Sequence, residues 1–192
     1  MASKSLDYTR IAAICKAQGF EPKDVLKKSK LLFDSYKNAK FLQDNIPMKE
    51  LSDEEVKKQM ASARYQFLDL FWRRTEENEE DMRAFINKAI TFPWFEKVIE
   101  FSLDHLADFK SVGKTYRKII EVCYFKAIQE TDIDRMVKCG LSRSRFYAKR
   151  EEAIILFGVI LWDYTKRREY EEMGKGLIAN HPIYPFDSDV YI

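Results

Sequence analysis

Glycine and proline are scarce, six and five in 192 residues, and no stretch alternates apolar with polar residues over a useful length. Hairpin-rich β architectures need both turn formers and that alternation, so they are excluded. Cysteine is rare as well. Cys15, Cys123 and Cys139 are odd in number, far apart and each set in an apolar-periodic stretch, which predicts reduced, packed thiols rather than a disulfide framework. Histidine is limited to His105 and His181. With three dispersed cysteines they offer no metal-ligand spacing, and neither stands beside a serine or cysteine in a nucleophile context. The longest apolar run, Ile154 to Trp162 with Gly158 inside it, has nine residues, about half of the ~20 that a membrane-spanning helix requires. No basic-then-apolar secretory signal opens the chain. These absences predict a cytoplasmic protein with no membrane contact, no metal, no cofactor and no catalytic centre.

An excess of one charge is also missing: 33 Lys and Arg stand against 31 Asp and Glu, a net +2. A surface coated in positive charge is thereby excluded, and any nucleic-acid footprint has to be local. What is present is a globular composition, 46% apolar and 14% aromatic, long enough to bury a core. Apolar residues recur at three- and four-residue spacings, so the expected fold class is all-α. The pattern divides into an N-terminal helical region over residues 1–110, a helix-turn-helix unit over 111–173 with a long buried final helix, and an irregular tail over 174–192.

Within the first region, residues 6–18 read as a helix with Ile11, Ile14 and Cys15 on one face and Gly19 as its stop. Pro22 opens a second helix, with Val25, Leu26, Phe33, Tyr36 and Leu42 as its apolar stripe. Ser52 and Glu55 form a capping-box signature for a third, long helix through Phe71. The acidic stretch at 76–81 reads as the solvated start of a short helix carrying Met82, Phe85, Ile86 and Ile90. Pro93 begins a helix with Phe95, Val98, Ile99, Leu103, Leu106 and Phe109 inward, and Gly113 separates it from a helix over 114–130. Val112-Gly113-Lys114-Thr115 resembles the end of a phosphate-binding loop, yet Asp108 stands where the earlier glycine is required and no strand precedes it.

Charge gathers in one window. Between Asp132 and Arg150 six basic residues (Arg135, Lys138, Arg143, Arg145, Lys149 and Arg150) outnumber two acids, Asp132 and Asp134. Residues 132–139 fit a short helix with Ile133, Met136 and Val137 inward, Gly140 fits a turn at positive φ, and Ser142 fits an N-cap. The next helix places Phe146, Ala153, Phe157, Ile160 and Tyr164 on one side. At 100° per residue from Phe146, Ser144, Ala148 and Glu151 point outward, Arg143 and Tyr147 lie on one flank, and Arg145 and Lys149 on the other. A recognition helix uses its first residues on base edges, so Arg143, Ser144 and Tyr147 are the expected readers, with Ser142 and Arg145 beside them. Lys149 and Arg150 are expected on phosphates, with Lys138, Lys114, Arg117 and Lys118 second in rank. Glu151 and Glu152 would repel the backbone of a flat-lying duplex, which predicts an approach led by the helix start.

The string CGLSRSRFYAKREEAIILFGVILWDY, preceded by TYRKIIEVCYFKA, resembles the C-terminal part of the ArpU-type transcriptional regulators of phages and prophages of Gram-positive bacteria, whose helix-turn-helix is similar to region 4 of σ factors. The features that carry it lie between Thr115 and Tyr164: Tyr116, Ile119-Ile120, Leu141-Ser142, Ser144, Phe146-Tyr147, Lys149-Arg150 and Ala153. Cys139 departs from the pattern, which more often has an aliphatic residue there, and the first ~110 residues match nothing in it. The resemblance implies a double-stranded DNA partner, control of phage late or lysis genes and a place in the host cell's cytoplasm. The residues leave open a different role, a protein-interaction module that engages RNA polymerase, a σ factor or another phage protein, inhibitory action included. They also leave open how the run 154–162 is covered: by the N-terminal helices within one chain, or by a second copy in a homodimer.

Overall fold

The computed structural model describes residues 5–43, 79–89, 93–125 and 130–174, and among these every regular element is helical. Helix α1 (Leu6–Ala17) starts at Ser5, whose hydroxyl accepts the Tyr8 N–H at 3.0 Å, and stops where Gly19 takes φ 81°. Only a residue without a Cβ reaches that region at no steric cost. Helix α2 (Pro22–Gln43) follows with Val25, Leu32, Phe33 and Tyr36 buried. Helix α3 (Glu79–Ala89) buries Ile86 and brings Glu79 within 3.6 Å of Lys27 on α2. Helix α4 (Pro93–Ala107) buries Phe95, Val98, Ile99, Leu103 and Leu106, as their spacing predicts. The helix expected through 52–71, the side chains of Leu42, Met82 and Phe85, Ile90, and the tail beyond 174 lie outside the described residues.

Helix α5 (Gly113–Ile120) continues into a π turn, Glu121–Phe125, and 126–129 of the expected helix over 114–130 lie outside the described residues. Gly113, expected to separate the two helices, is the buried first residue of α5, at φ −56°. A Cβ there would stand 2.3 Å from the Ala107 carbonyl oxygen and 2.6 Å from that of Leu106. Its smallness lets α5 abut the end of α4.

Helix α6 (Asp132–Cys139) and helix α7 (Arg143–Gly174) complete the chain. At 32 residues α7 is about 48 Å long, and its segment Glu152 to Val159 is buried on every side. Helices α1, α2, α4 and α5 of the same chain cover it. A single hydrophobic core runs from Ile11 through Phe33, Phe95 and Tyr116 to Phe157 and Trp162, so the change of pattern at residue 110 does not divide the core. Gly158 marks the closest crossing: a Cβ on it would lie 2.1 Å from Ser29 Oγ and 2.8 Å from Val25 Cγ1 on α2. Around it Phe33 stacks on Tyr124 with ring centroids 4.3 Å apart.

Cys15 and Cys123 are buried and free of disulfides, and burial pushes each thiol up to about 11. Both stay protonated and inert. Among the described residues no helix is long and apolar enough to cross a membrane, and no cluster of His, Cys, Asp or Glu is set to hold a metal ion.

Candidate nucleic-acid interface

The site is built on the corner between α6 and α7. Thr131 begins α6 with a capping box: its hydroxyl accepts the Asp134 N–H at 3.2 Å, and the Asp134 carboxylate accepts the Thr131 N–H at 3.1 Å. The Thr131 hydroxyl also donates to the Asp134 carboxylate at 2.6 Å, and this bond first, with the Thr131 N–H second, holds that carboxyl below its usual range. At the far end Gly140 takes φ 66°, and the Leu141 N–H reaches back to the Met136 carbonyl at 3.1 Å. This left-handed closure reverses the chain within three residues. Ser142 then leads into α7, its carbonyl accepting the Phe146 N–H at 2.8 Å. The Ser142 hydroxyl is exposed and makes no hydrogen bond among the described residues, so the chain enters α7 without the side-chain cap expected of it.

The inner stripe of α6 differs from the expected one. Ile133 and Val137 are 68% and 75% exposed, while Met136 and Cys139 pack against the core. The residues turned inward are Asp132, Arg135, Met136 and Cys139, an i, i+3, i+4, i+7 set whose polar members are held by ions instead of apolar contacts. Asp132 accepts hydrogen bonds from Arg135 Nη1 at 2.9 Å and Tyr147 Oη at 3.0 Å, and lies 3.5 Å from Arg150 Nη1. Partial burial would raise the Asp132 carboxyl, but these donors and the Arg150 charge outweigh it and hold the group low.

Arg150 is half-buried, its guanidinium turned toward Tyr124 and Asp132. Its Nε donates to Tyr124 Oη at 3.1 Å and its guanidinium lies 5.7 Å from that ring. Lys149 is committed as well: Nζ is 2.8 Å from Asp7 Oδ2 on α1 and 2.8 Å from Glu152 Oε2. Burial opposes its charge, yet the two carboxylates raise its pKa. Both residues were expected on phosphates, and in this structure both are spent on holding helices together. Glu152, expected at the surface, is 2% exposed. It accepts from Tyr116 Oη at 2.7 Å and from the Ser5 hydroxyl. One interior carboxylate thus joins α1, α5 and α7, through partners that sequence reasoning did not find.

Lys138 pairs with Glu130, and Arg117 with Asp104 and Glu121. What remains free at the start of α7 is a short list: Arg143 and Arg145 are exposed, with no ion-pair partner among the described residues. Ser144 and Ala148 are exposed between them, and Tyr147 is 41% exposed. Glu151 is exposed one turn further on. Phe146, fully buried, anchors this turn to the core. The structure brings Ser142, Arg143, Ser144, Arg145 and Tyr147 to one solvent-facing end and removes Lys149 and Arg150 from it. Elsewhere, His105 stacks on Phe101 with centroids 3.8 Å apart and its Nδ1 is 3.0 Å from the Phe101 carbonyl, beside an open cleft of about 330 Å³. His105 itself is exposed.

An all-helical chain with a glycine-closed corner and a cationic, short-side-chained helix start is what the residues define. No protein-family profile matches the chain, and no curated protein or solved structure matches it either.

Proposed function

We propose that the protein binds double-stranded DNA through the first turns of α7 and regulates transcription, in the manner that its resemblance to the ArpU-type phage regulators implies. The observation that carries the reading is the pairing of two exposed arginines, Arg143 and Arg145, which have no ion-pair partner among the described residues, with the small outward residues Ser144 and Ala148 on a helix start locked by Phe146 and Asp132. Arginine grips guanine with two hydrogen bonds, and short neighbours let the backbone approach the groove. Arg143 and Ser144 read base edges, and Tyr147, its hydroxyl held by Asp132, presents its exposed ring beside them. Arg145 and Ser142 contact the backbone, with exposed Lys114 and Lys118 as further cations. Lys149 and Arg150 position the reading helix from behind.

With few free cations the electrostatic footprint is small. Three phosphate contacts would cost about 40-fold in affinity between ~50 and ~200 mM salt. Fluorescence-anisotropy titration of random-sequence duplex DNA tests the reading. The wild type binds with that salt dependence, Arg143→Ala/Arg145→Ala loses binding at unchanged stability, and Lys149→Ala loses stability while its salt slope stays near the wild-type value. No binding at low salt refutes the reading and points to a protein partner such as RNA polymerase.

A further inference from the structure

Helices α1, α4 and α7 do not close fully over one another: between them lies an open cleft of about 330 Å³, near the lower end of the range for small-molecule sites. Its floor is aliphatic, made by Ile14, Leu156, Val159 and Ile160. One wall is a run of rings. Phe101 meets His105 with centroids 3.8 Å apart and Tyr164 with centroids 4.2 Å apart, tilted by 30° and 37°. Asp163 and Arg167 line the same cleft, but they are committed to each other at 2.8 Å, with 73% of the Arg167 side chain in solvent. The neutral polar groups are not committed. The Gln18 carboxamide and the Tyr164 hydroxyl make no hydrogen bond among the described residues. His105 directs Nδ1 at the Phe101 carbonyl, 3.0 Å away. A carbonyl oxygen only accepts, so in the neutral ring the proton sits on Nδ1 and Nε2 is an acceptor.

We propose that this cleft is a binding site for a small, uncharged aromatic compound that carries an N–H or O–H donor. Shape, charge and hydrogen bonding each narrow the class. A wall of rings over an aliphatic floor takes a flat ring best, by offset or edge contact. A charged ligand would give up its water for a cleft whose cation and anion already neutralise each other, and it would gain no partner for that loss. A donor on the ring meets His105 Nε2, and Gln18 and Tyr164 serve any further polar group. The site does not depend on the DNA-binding reading: Leu156, the first α7 residue to line it, is about 20 Å along the helix from Arg143.

Indole is the probe, an uncharged pair of fused rings with a single N–H. In an amide-resolved NMR titration of the full chain, indole up to about 10 mM shifts the amides of Gln18, His105 and Arg167 saturably, with a dissociation constant near about 1 mM. 1-Methylindole, which lacks the donor, binds about fivefold more weakly. Tryptamine and indole-3-acetate, the cationic and anionic relatives, bind about tenfold more weakly. His105→Leu lowers the affinity for indole about fivefold more than that for 1-methylindole. Ile14→Trp, at a position 37% exposed, fills the cleft and abolishes indole binding while the urea midpoint stays at the wild-type value. Shifts that are scattered or absent, equal binding of the charged relatives, a His105→Leu loss that is the same for both indoles, or indole binding kept by Ile14→Trp overturns the proposal. None of these outcomes bears on the arginines at the start of α7, so the two readings fail separately.

Discussion

Replacing Glu152 by glutamine and Tyr116 by phenylalanine, singly and together, measures what the interior carboxylate contributes. Glu152 is 2% exposed and receives Tyr116 Oη at 2.7 Å, Lys149 Nζ at 2.8 Å and the Ser5 hydroxyl. Tyr116→Phe removes one hydrogen bond to a charged acceptor, about 1.5–3 kcal/mol. Glu152→Gln keeps the shape and an acceptor oxygen but takes the charge away from Lys149. Losing one partner of a buried pair costs about 3–5 kcal/mol. Asp7 remains 2.8 Å from Lys149, so the expected loss is nearer about 2 kcal/mol. In the double variant the missing hydroxyl no longer faces a carboxylate, and the two losses fall short of their sum by about 1–2 kcal/mol. Urea denaturation of the four proteins at neutral pH gives each value. Additivity within about 0.5 kcal/mol, the range for independent sites, would refute the account of Glu152 as the junction of α1, α5 and α7.

Gly158→Ala tests the crossing of α2 and α7 by its sign. Alanine for glycine inside a helix ordinarily stabilises by about 0.5–1 kcal/mol, but here the methyl would meet Ser29 Oγ at 2.1 Å and Val25 Cγ1 at 2.8 Å, and overpacking of about 1–3 kcal/mol wins. A higher melting temperature for Gly158→Ala would contradict that crossing. Asp132 sets an acid limit. Its folded-state pKa lies below 3.8, so its contribution is complete above that pH and is lost as pH falls through the folded value. Asp132→Asn should lower stability at neutral pH and flatten the acid limb below about pH 4. An acid limb as steep as the wild type's would show that the ion cluster at the corner contributes nothing.

Local rules were legible where a single element decided them. Gly19 and Gly140 at positive φ, Pro22 and Pro93 at helix starts, the apolar stripe of α4 and the all-α class follow from spacing and turn chemistry. The run at 154–162 demanded cover on all sides, and α1, α2, α4 and α5 supply it over 154–159, while Ile160 borders the open cleft. The site was half legible. Arg143, Ser144, Arg145 and Tyr147 lie at the exposed end where helical periodicity puts them. Lys149 was misassigned because its partner Asp7 is 142 positions away, and no local pattern announces a pairing of that range. The α6 stripe was misassigned for a related reason: an apolar-periodicity argument selects Ile133 and Val137, whereas the buried stripe is stabilised by Asp132 meeting Arg135, Tyr147 and Arg150. Gly113 could have been flagged as a close approach, since a glycine that needs no positive φ has its missing side chain as the remaining reason to be there.

The most direct test of the central claim is an amide-resolved NMR titration of the full chain with a short random-sequence duplex at low salt. The account predicts shift changes concentrated at residues 142–148, with Arg143 and Arg145 strongest and the amides around Asp7 and Glu152 unmoved. Changes centred on the cleft beside His105, or no change at any residue, would contradict it.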